Sequence, residues 1–411
     1  MKLELHLLQN FAPSNLNRDD TGAPKDCELG GHRRARISSQ CQKRAVRELF
    51  RLESGLGLDD LGARTKRIGQ EIARTLVQDH GHSENDSIGV ALAALEGARL
   101  GRKKAEGEEG WKTEYLLFLP RRTIAQLAKL LHEKWADLQP LVSVADEMES
   151  GDGEPASGKK KTKKQAKKDA QAAYPKDVGK DVEALLEDAR GAADLALFGR
   201  MIADRPEWNV NASCQVAHAI STNRVQMDFD FFTAVDDCKP EDTAGSDMMG
   251  TVQFNSSCYY RYCVLDVQAL RDNLGDGDGS GDLLNRSVDA FVRAFVSAIP
   301  TGKQNSMAAH SFPSYALAVV RGKGQPVSLV NAFLKPARPR GTGDKEQDLV
   351  DDSIAKLEDY LHRMEGALGN GGRFTIAWAD RDLPATNGIA RAGALGEFFS
   401  EVSKRALGPR T

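Results

Sequence analysis

The feature that most constrains the fold of this chain is a change in the period of its apolar residues. The period changes from two residues to 3.6 residues and then returns to two. Near the start, Leu3, Leu5 and Leu7 alternate with polar residues, which is typical of a half-buried strand. Residues 60–200 carry apolar stripes of helical period, and after about residue 200 the alternation returns. The pattern predicts a sheet built from both ends of the chain, with a helical subdomain inserted between them.

Caps and turn signals divide this pattern into elements. Ser39 and Gln42 fit a capping box, which predicts a helix that begins near Gln40. Further helices are predicted over residues 63–79, 88–100, 123–138, 182–197, 283–299, 348–368 and 390–405. Short strands are predicted over 214–220, 258–264, 315–320, 327–333 and 374–378. This order predicts an α+β fold in which helices cover one face of a mostly antiparallel sheet.

Charge and cysteine content narrow the class of protein. Lysine and arginine number 56 against 59 acidic residues, so an anion-binding surface requires local segregation of charge. The six cysteines form no C-x-x-C pair, which is typical of reduced thiols in a cytoplasmic protein.

The start lacks an apolar signal core, and no apolar run is long enough to span a bilayer, so we expect no membrane partner. Phosphate-loop, zinc-helix and serine-elbow motifs are absent, and we expect no cofactor.

The main local signal is a basic segment near the N-terminus. Residues 29–47 contain no acidic side chain and six fixed positive charges, which are Arg33, Arg34, Arg36, Lys43, Arg44 and Arg47; Arg18 and Lys25 precede them. A helix N-terminus flanked by cations suits a phosphodiester backbone. Neutral hydrogen bonds would come from Asn17, Ser38 and Gln40. The alternative is a solvated basic face that pairs with acidic residues elsewhere in the chain.

A second basic element lies inside the helical region. Residues 148–173 have no bulky apolar side chain after Met148, which predicts a disordered loop. If the segment were instead a helix, it would present six lysines on about half of its surface: Lys159, Lys160, Lys163, Lys164, Lys167 and Lys168. Either form is compatible with contact to nucleic acid.

Three smaller features each have a functional and a structural interpretation. The aspartate pairs at 19–20 and 236–237 would hold Mg²⁺ for phosphodiester cleavage, or serve as turns and caps. The apolar cluster at 227–232 would stack on bases, or form a hairpin packed on a hydrophobic core. We expect His218, which follows an apolar alternation, to be a core residue rather than a ligand.

Five blocks of sequence resemble one family. They are LQNFAPSNLNRDDTGAPKDCELGGHRRARISSQCQKRAVR at 8–47, FGRM at 198–201, QVAHAISTNRV at 215–225, DFFTAVDD at 230–237 and FNSSCYYRY at 254–262. The resemblance is to the CasC family, the repeated guide-RNA-binding backbone subunit of the type I-E CRISPR Cascade complex. The blocks occur in the family's order and are spread over more than half of the chain.

The resemblance implies an RNA-recognition-motif-like (ferredoxin-like) palm, inserted helical fingers and an extended thumb. The boundaries it implies are palm at 1–59, 186–224 and 259–411, fingers at 60–185, and thumb at 225–258. Several copies would bind along one CRISPR guide RNA without reading its sequence, and would present kinked segments for pairing with target DNA in antiviral defence. The partners implied are the guide RNA, target DNA, neighbouring copies of the chain and other Cascade subunits.

The residues that the resemblance assigns to the guide are Arg18, Lys25, Ser38, Gln40, Lys43, Arg44 and Arg47, with Met201 and Phe232 as apolar wedges beside a displaced base. Arg34 and Arg36 are included because they belong to the basic segment, and Asn17 is included because it would add a neutral hydrogen bond. The lysines at 159–168 do not align with the family, and we expect them to contact target DNA. No catalytic residue is implied. The alternative is a metal-dependent ribonuclease that uses Asp19 or Asp20, because related backbone subunits cleave RNA through an acidic loop residue.

Overall fold

The computed structural model describes residues 1–104, 111–139, 176–234, 248–277, 279–341, 346–369 and 373–408. The chain divides into two units. The first comprises Met1–Gly55, Ser213–Arg271 and Leu284–Thr411, and the second comprises Leu56–Ala212 and Asp272–Leu283. Residues 186–212, which were expected in the palm, therefore belong to the second unit.

The first unit begins with three strands and a helix. These are β1 (Lys2–Ser14), β2 (Asp26–Leu29), β3 (His32–Ile37) and α1 (Ser39–Glu53). The helix starts one residue earlier than predicted, because Ser38 and not Ser39 is its N-cap: the Ser38 hydroxyl accepts a hydrogen bond from the backbone N–H of Cys41.

The second unit is mainly helical and has its own apolar core. Its elements are β4 (Gly62–Thr65), α2 (Ile68–His80), α3 (Glu84–Gly97), β5 (Arg102–Lys104), β6 (Trp111–Thr113), β7 (Leu117–Pro120), α4 (Arg121–Glu133), α5 (Lys176–Glu187) and α6 (Ala193–Phe198). Ile72, Leu95 and Leu127 bring α2, α3 and α4 together in this core. The helix predicted over 63–79 was partly wrong, since it begins as strand β4, which pairs with β7.

The remaining elements complete the chain. They are β8 (Cys214–Val216), β9 (Ala219–Ser221), β10 (Asp228–Ala234), β11 (Met248–Asp266), α7 (Val267–Leu274), α8 (Ser280–Ser297), α9 (Gln304–Met307), β12 (Tyr315–Arg321), α10 (Leu349–Leu368), β13 (Phe374–Ala379), β14 (Ala390–Arg391) and α11 (Leu395–Leu407). The strand predicted over 327–333 is wrong, because Val330–Phe333 is a short 3₁₀ helix. The helix predicted over 390–405 begins only at Leu395.

One ten-stranded sheet organises the first unit. Its order is β14-β13-β12-β1-β11-β9-β3-β2, and β8 and β10 also pair with β11. All pairs are antiparallel except β13 with β14. The long strand β11 extends past β1, so that its first residues pair only with β10 and form a two-stranded arm, Asp228–Ala234 with 248–254.

Helices cover both faces of this sheet, whereas the sequence predicted helices on one face. Helix α10 packs on the face that carries Leu8 and Tyr262. On the opposite face, Arg261 of β11 lies over the Phe295 ring of α8 and donates a 2.7 Å hydrogen bond to the Phe295 carbonyl. Strand β1 is buried on both sides because its polar residues have internal partners: Glu4 accepts hydrogen bonds from the Tyr262 hydroxyl and from the guanidinium of Arg321.

Cys27, Cys41, Cys214, Cys258 and Cys263 are free thiols in the part of the chain that the structure describes. Within the described ranges, no helix has the length and apolarity that crossing a membrane would require.

Candidate nucleic-acid interface

A loop from β1 to β2 is tied to the start of α1 by hydrogen bonds from backbone and side chain. The Oδ1 of Asn17 accepts from the backbone N–H of Ser38 at 2.8 Å, and the Asn17 carbonyl accepts from the N–H of Lys25 at 2.9 Å. The Lys25 carbonyl in turn accepts from the N–H of Arg36 at 2.9 Å. Asn17 and Ser38 thus hold the loop and the N-terminus of α1 together, and they bring Lys25 and Arg36 beside that N-terminus.

Positive groups converge on His218 at this point. The backbone N–H of Ser39 donates to the His218 Nδ1 at 3.3 Å, and the guanidinium of Arg36 lies 3.4 Å from the same nitrogen. Burial lowers the pKa of His218, and the charges of Arg36 and Lys25 lower it further. A helix N-terminus, two cations and an exposed imidazole form a surface that favours an anion. We call Lys25, Arg36, Ser39 and His218 the α1 N-terminal cluster.

The prediction that His218 is a core residue was wrong. The alternation that suggested a single strand is interrupted between β8 and β9, and the His218 side chain is exposed. The sequence did contain a signal that His218 is exposed. The imidazole is the one polar group in an alternation with Cys214, Val216 and Ile220, and a buried imidazole would need a hydrogen-bond partner.

The exposed side of α1 carries the other candidate residues. Ala45, Val46 and Phe50 are buried, so the polar positions face away from the core. Gln40 and Arg44 are exposed, and Lys43 and Arg47 are half-buried. Arg44 forms a salt bridge with Glu48, its i+4 neighbour, in which Nε of Arg44 lies 2.8 Å from Oε1 of Glu48.

Arg34 is a correction to the predicted set. Its side chain is fully buried, and its guanidinium donates to the carbonyls of Ser221 at 3.2 Å, Thr222 at 2.6 Å and Phe333 at 2.5 Å. Burial also lowers its pKa. Strand β3 alternates, so Arg34 points inward while Arg33, on the other face, is exposed and pairs with Asp26. Arg34 therefore links three segments of the first unit and is not part of the exposed surface.

Arg18 lies in a cleft beside α1 whose charge is mixed. The cleft has a volume of about 480 Å³, and its lining includes Arg18, Arg44, Asp19, Asp20 and Glu48. Because its lining carries acidic as well as basic side chains, the cleft lacks the segregated positive charge of the α1 N-terminal cluster.

The Asp19 carboxylate is occupied by a turn. Its Oδ1 accepts from the Thr21 hydroxyl at 2.8 Å, the Thr21 N–H at 2.9 Å and the Ala23 N–H at 3.0 Å, and the bond from the Thr21 side chain is the largest cause that lowers its pKa. Across the described part of the chain, no group of three or more His, Cys, Asp or Glu side chains is placed to hold a metal ion. Asp236 and Asp237 lie outside the described residues, as do the lysines at 159–168.

Both predicted apolar wedges are accessible. Met201 in the second unit is 85% exposed, and Phe232 on the arm of the first unit is 39% exposed. The arm is a hairpin, but Phe229 and Phe231 are also exposed, so the interpretation of this cluster as packed on a core was wrong for these rings. The Phe232 ring covers Gly250 on the paired strand, where a Cβ would come within 2.5 Å of it.

Comparison with known proteins shows the family of the chain. The model of the CT1975-like protein family matches residues 3–401. The chain belongs to the CT1975-like family. This family member is also similar, with a TM-score of 0.78 and 27% identity, to a chain of a solved "CRISPR RNA-guided surveillance complex, pre-nicking"; the match covers 99% of this chain and 100% of that one. A second solved structure, a "CRISPR RNA-guided surveillance complex", shares the fold with a TM-score of 0.67 and 22% identity over 98% and 99% of the two chains. A search among curated proteins found no match.

Proposed function

We propose that this CT1975-like chain is a non-catalytic, RNA-binding backbone subunit of a type I-E CRISPR Cascade complex. Several copies bind side by side along one guide RNA and hold its phosphates without reading its bases. Between the contacts, kinked segments of the guide are presented for pairing with target DNA. The guide RNA, target DNA, neighbouring copies and other Cascade subunits are its partners in the cytoplasm.

The observation that carries this proposal is the α1 N-terminal cluster. It supplies an exposed helix N-terminus, two cations and an imidazole at one point, while Gln40, Lys43 and Arg47 continue along the same helix. Gln40, Lys43 and Arg47 lie on one regular helix, and cations and amide groups of this kind donate to anionic oxygens, which suits repeated contact with a sugar-phosphate backbone. The likeness to a chain of an RNA-guided complex over nearly its whole length supports RNA as the anion.

The sheet topology supports an RNA-recognition-motif-like palm. The four central strands have the order β12-β1-β11-β9, all antiparallel, and α1 and α8 follow β1 and β11 in the chain. This order matches the β-α-β-β-α-β arrangement of ferredoxin-like folds and so supports the proposed palm. In this assignment the first unit is the palm, its two-stranded arm is the thumb, and the second unit is the fingers.

The test of this function is the nucleic acid that the complex retains. Complex purified with the other Cascade subunits is expected to contain one discrete RNA that nucleases cut at regular intervals, since identical copies protect it repeatedly. A double variant, Lys43→Gln with Arg47→Gln, should lose this RNA, while Lys323→Gln, on an exposed loop of the same unit, should retain it. Random or absent RNA in the unaltered complex would refute the proposal.

The non-catalytic assignment has its own test. Assembled complex is incubated with complementary RNA and Mg²⁺, and cleavage that disappears in Asp20→Ala would establish the ribonuclease alternative. We expect no cleavage, because in this proposal the chain contributes only binding groups.

The lysines at 159–168 are proposed to contact target DNA outside the guide. Replacing Lys159, Lys160, Lys163, Lys164, Lys167 and Lys168 by Gln is expected to weaken DNA binding while the guide is retained. Unchanged affinity for DNA would contradict this assignment.

A further inference from the structure

Met201 is an exposed apolar side chain between two buried neighbours. It is 85% exposed, whereas Arg200 on one side is 5% exposed and Ile202 on the other is 3% exposed. Single exposed apolar side chains are common on protein surfaces, so exposure alone gives Met201 no role. What distinguishes this position is that both of its neighbours are buried and that hydrogen bonds hold the main chain around it.

Arg200 fixes the backbone on the N-terminal side. Its Nε donates to the Trp208 carbonyl at 2.6 Å, one terminal nitrogen donates to the carbonyls of Phe118 and Ala189 at 3.2 Å each, and the other donates to that of Leu186 at 3.4 Å. One guanidinium thus joins β7, the end of α5 with the residues after it, and the turn at Pro206–Trp208. A lysine has three donors on a single atom and cannot span four such carbonyls.

The backbone is fixed on both sides of Met201 as well. Arg200 and Val210 exchange two backbone hydrogen bonds of 2.9 Å, and the N–H of Ile202 donates to the Asn209 Oδ1 at 2.6 Å. Gly199 has φ of +74°, and a Cβ there would lie 2.6 Å from the Val210 carbonyl oxygen. Every bond in this set holds the main chain, and none constrains the Met201 side chain itself.

We propose that Arg200 is a positioning residue for Met201, holding it at a fixed point on the surface so that its side chain displaces a base of the bound RNA. The inference rests on the proposed function, because it requires Met201 to act on the guide. A preorganised backbone lowers the entropy lost on contact, so Met201 on a fixed main chain displaces the base more completely than it would on a mobile one.

The test uses complexes assembled on guides that carry 2-aminopurine at successive positions, since an unstacked 2-aminopurine fluoresces more strongly. Met201→Ala is expected to lower the fluorescence at the displaced position. Arg200→Lys, which keeps the charge, should lower it by at least about half as much, and should add nothing in the Met201→Ala background. Arg74→Lys, at an exposed arginine of the same unit, is the matched control and should leave the signal unchanged.

Three outcomes are distinct. If Met201→Ala lowers the signal and Arg200→Lys does not, the positioning role is wrong while the proposed function stands. If Arg200→Lys lowers the signal equally with and without Met201, its effect is general to the fold, and the inference is again overturned. If Met201→Ala itself changes nothing, the wedge assigned under the proposed function fails and the inference fails with it. Should Arg200→Lys not assemble, Asn209→Ala removes one hydrogen bond from the same segment and is read in the same way.

Discussion

The backbone N–H of Ser39 points at the Nδ1 of His218, 3.3 Å away, across 179 residues of sequence. That N–H belongs to the first turn of α1, where backbone donors have no partner within the helix. Arg36 approaches the same lone pair. The Nδ1 atom therefore carries no proton. It accepts hydrogen bonds from the Ser39 N–H and the Arg36 guanidinium, two donors that would otherwise be available to an anion.

This relationship predicts that binding of RNA takes up a proton. In the free chain, burial and then Arg36 and Lys25 lower the pKa of His218 below its ordinary value. A phosphate bound beside the ring favours the charged imidazolium and raises that pKa again. Affinity for RNA should therefore increase as the pH falls from about 8 to about 5, by up to about tenfold for each unit by which binding raises the pKa.

The measurement is the dissociation constant for RNA over this pH range at fixed salt. His218→Gln should remove the part of the dependence that comes from this ring. His362→Gln, on α10, should leave the full dependence in place. An identical pH profile for the His218→Gln variant and the unaltered chain would contradict the role of His218.

Lys43 tests whether the backbone of the RNA is what α1 binds. Lys43→Ala should weaken binding about equally for guides of different sequence, because a phosphate contact carries no sequence information. The slope of log K against log salt should decrease by about one unit, since one fewer counterion is released. Lys323→Ala is the control. A loss that varies strongly with guide sequence would argue for contacts with base edges instead.

Arg34 should behave in the opposite way. Arg34→Met leaves three buried carbonyls without a donor, so the free energy of unfolding is expected to fall by about 3 kcal/mol. The salt dependence of RNA binding should not change in variants that fold. Arg33→Met, one residue earlier and exposed, should cost about 0.5 kcal/mol or less. A reduced salt slope for Arg34→Met would show that this side chain reaches the RNA after all.

The contrast between Arg33 and Arg34 indicates how far the sequence alone leads. The basic segment, the start of helix α1 and the strands β12 and β13 follow from local signals, and each was predicted. The burial of Arg34 depends on carbonyls 187 to 299 residues away, which no local pattern contains.

The same reason explains the second face of the sheet. Glu4 and His6 suggested a solvated side of β1, yet both are buried, because Arg321, Tyr262 and Tyr260 meet them from other strands. Polar residues at alternating positions predict exposure only when no partner lies across the sheet.

The arm offers a test of stacking. Phe232→Ala is expected to reduce the displacement of a guide base and to weaken binding by about 1 to 3 kcal/mol per contact. Gly250→Ala should act in the same direction, because its Cβ would lie 2.5 Å from the Phe232 ring and force it to move. Phe312→Ala, at an exposed phenylalanine that is not part of the arm, is the control. Both variants can be followed by 2-aminopurine fluorescence, and full displacement in Phe232→Ala would exclude stacking by this ring.

His6 predicts the response of the fold itself to acid. Burial, assisted by Arg321, lowers its pKa to about 3, and its Nδ1 pairs with the Tyr260 hydroxyl at 2.8 Å. The unfolded chain binds a proton near pH 6.5 while the folded chain does not, so stability is lost as the pH falls from about 6.5 toward 3. At about 1.4 kcal/mol for each pKa unit, the full loss is on the order of 5 kcal/mol. Thermal unfolding between about pH 7 and pH 4 should show a shallower decline for His6→Gln than for the unaltered chain, whereas His362→Gln should follow the unaltered chain. If stability declined equally in the unaltered chain and in both variants, groups other than His6 would be responsible for the acid sensitivity. The reason is that only His6→Gln removes the buried imidazole.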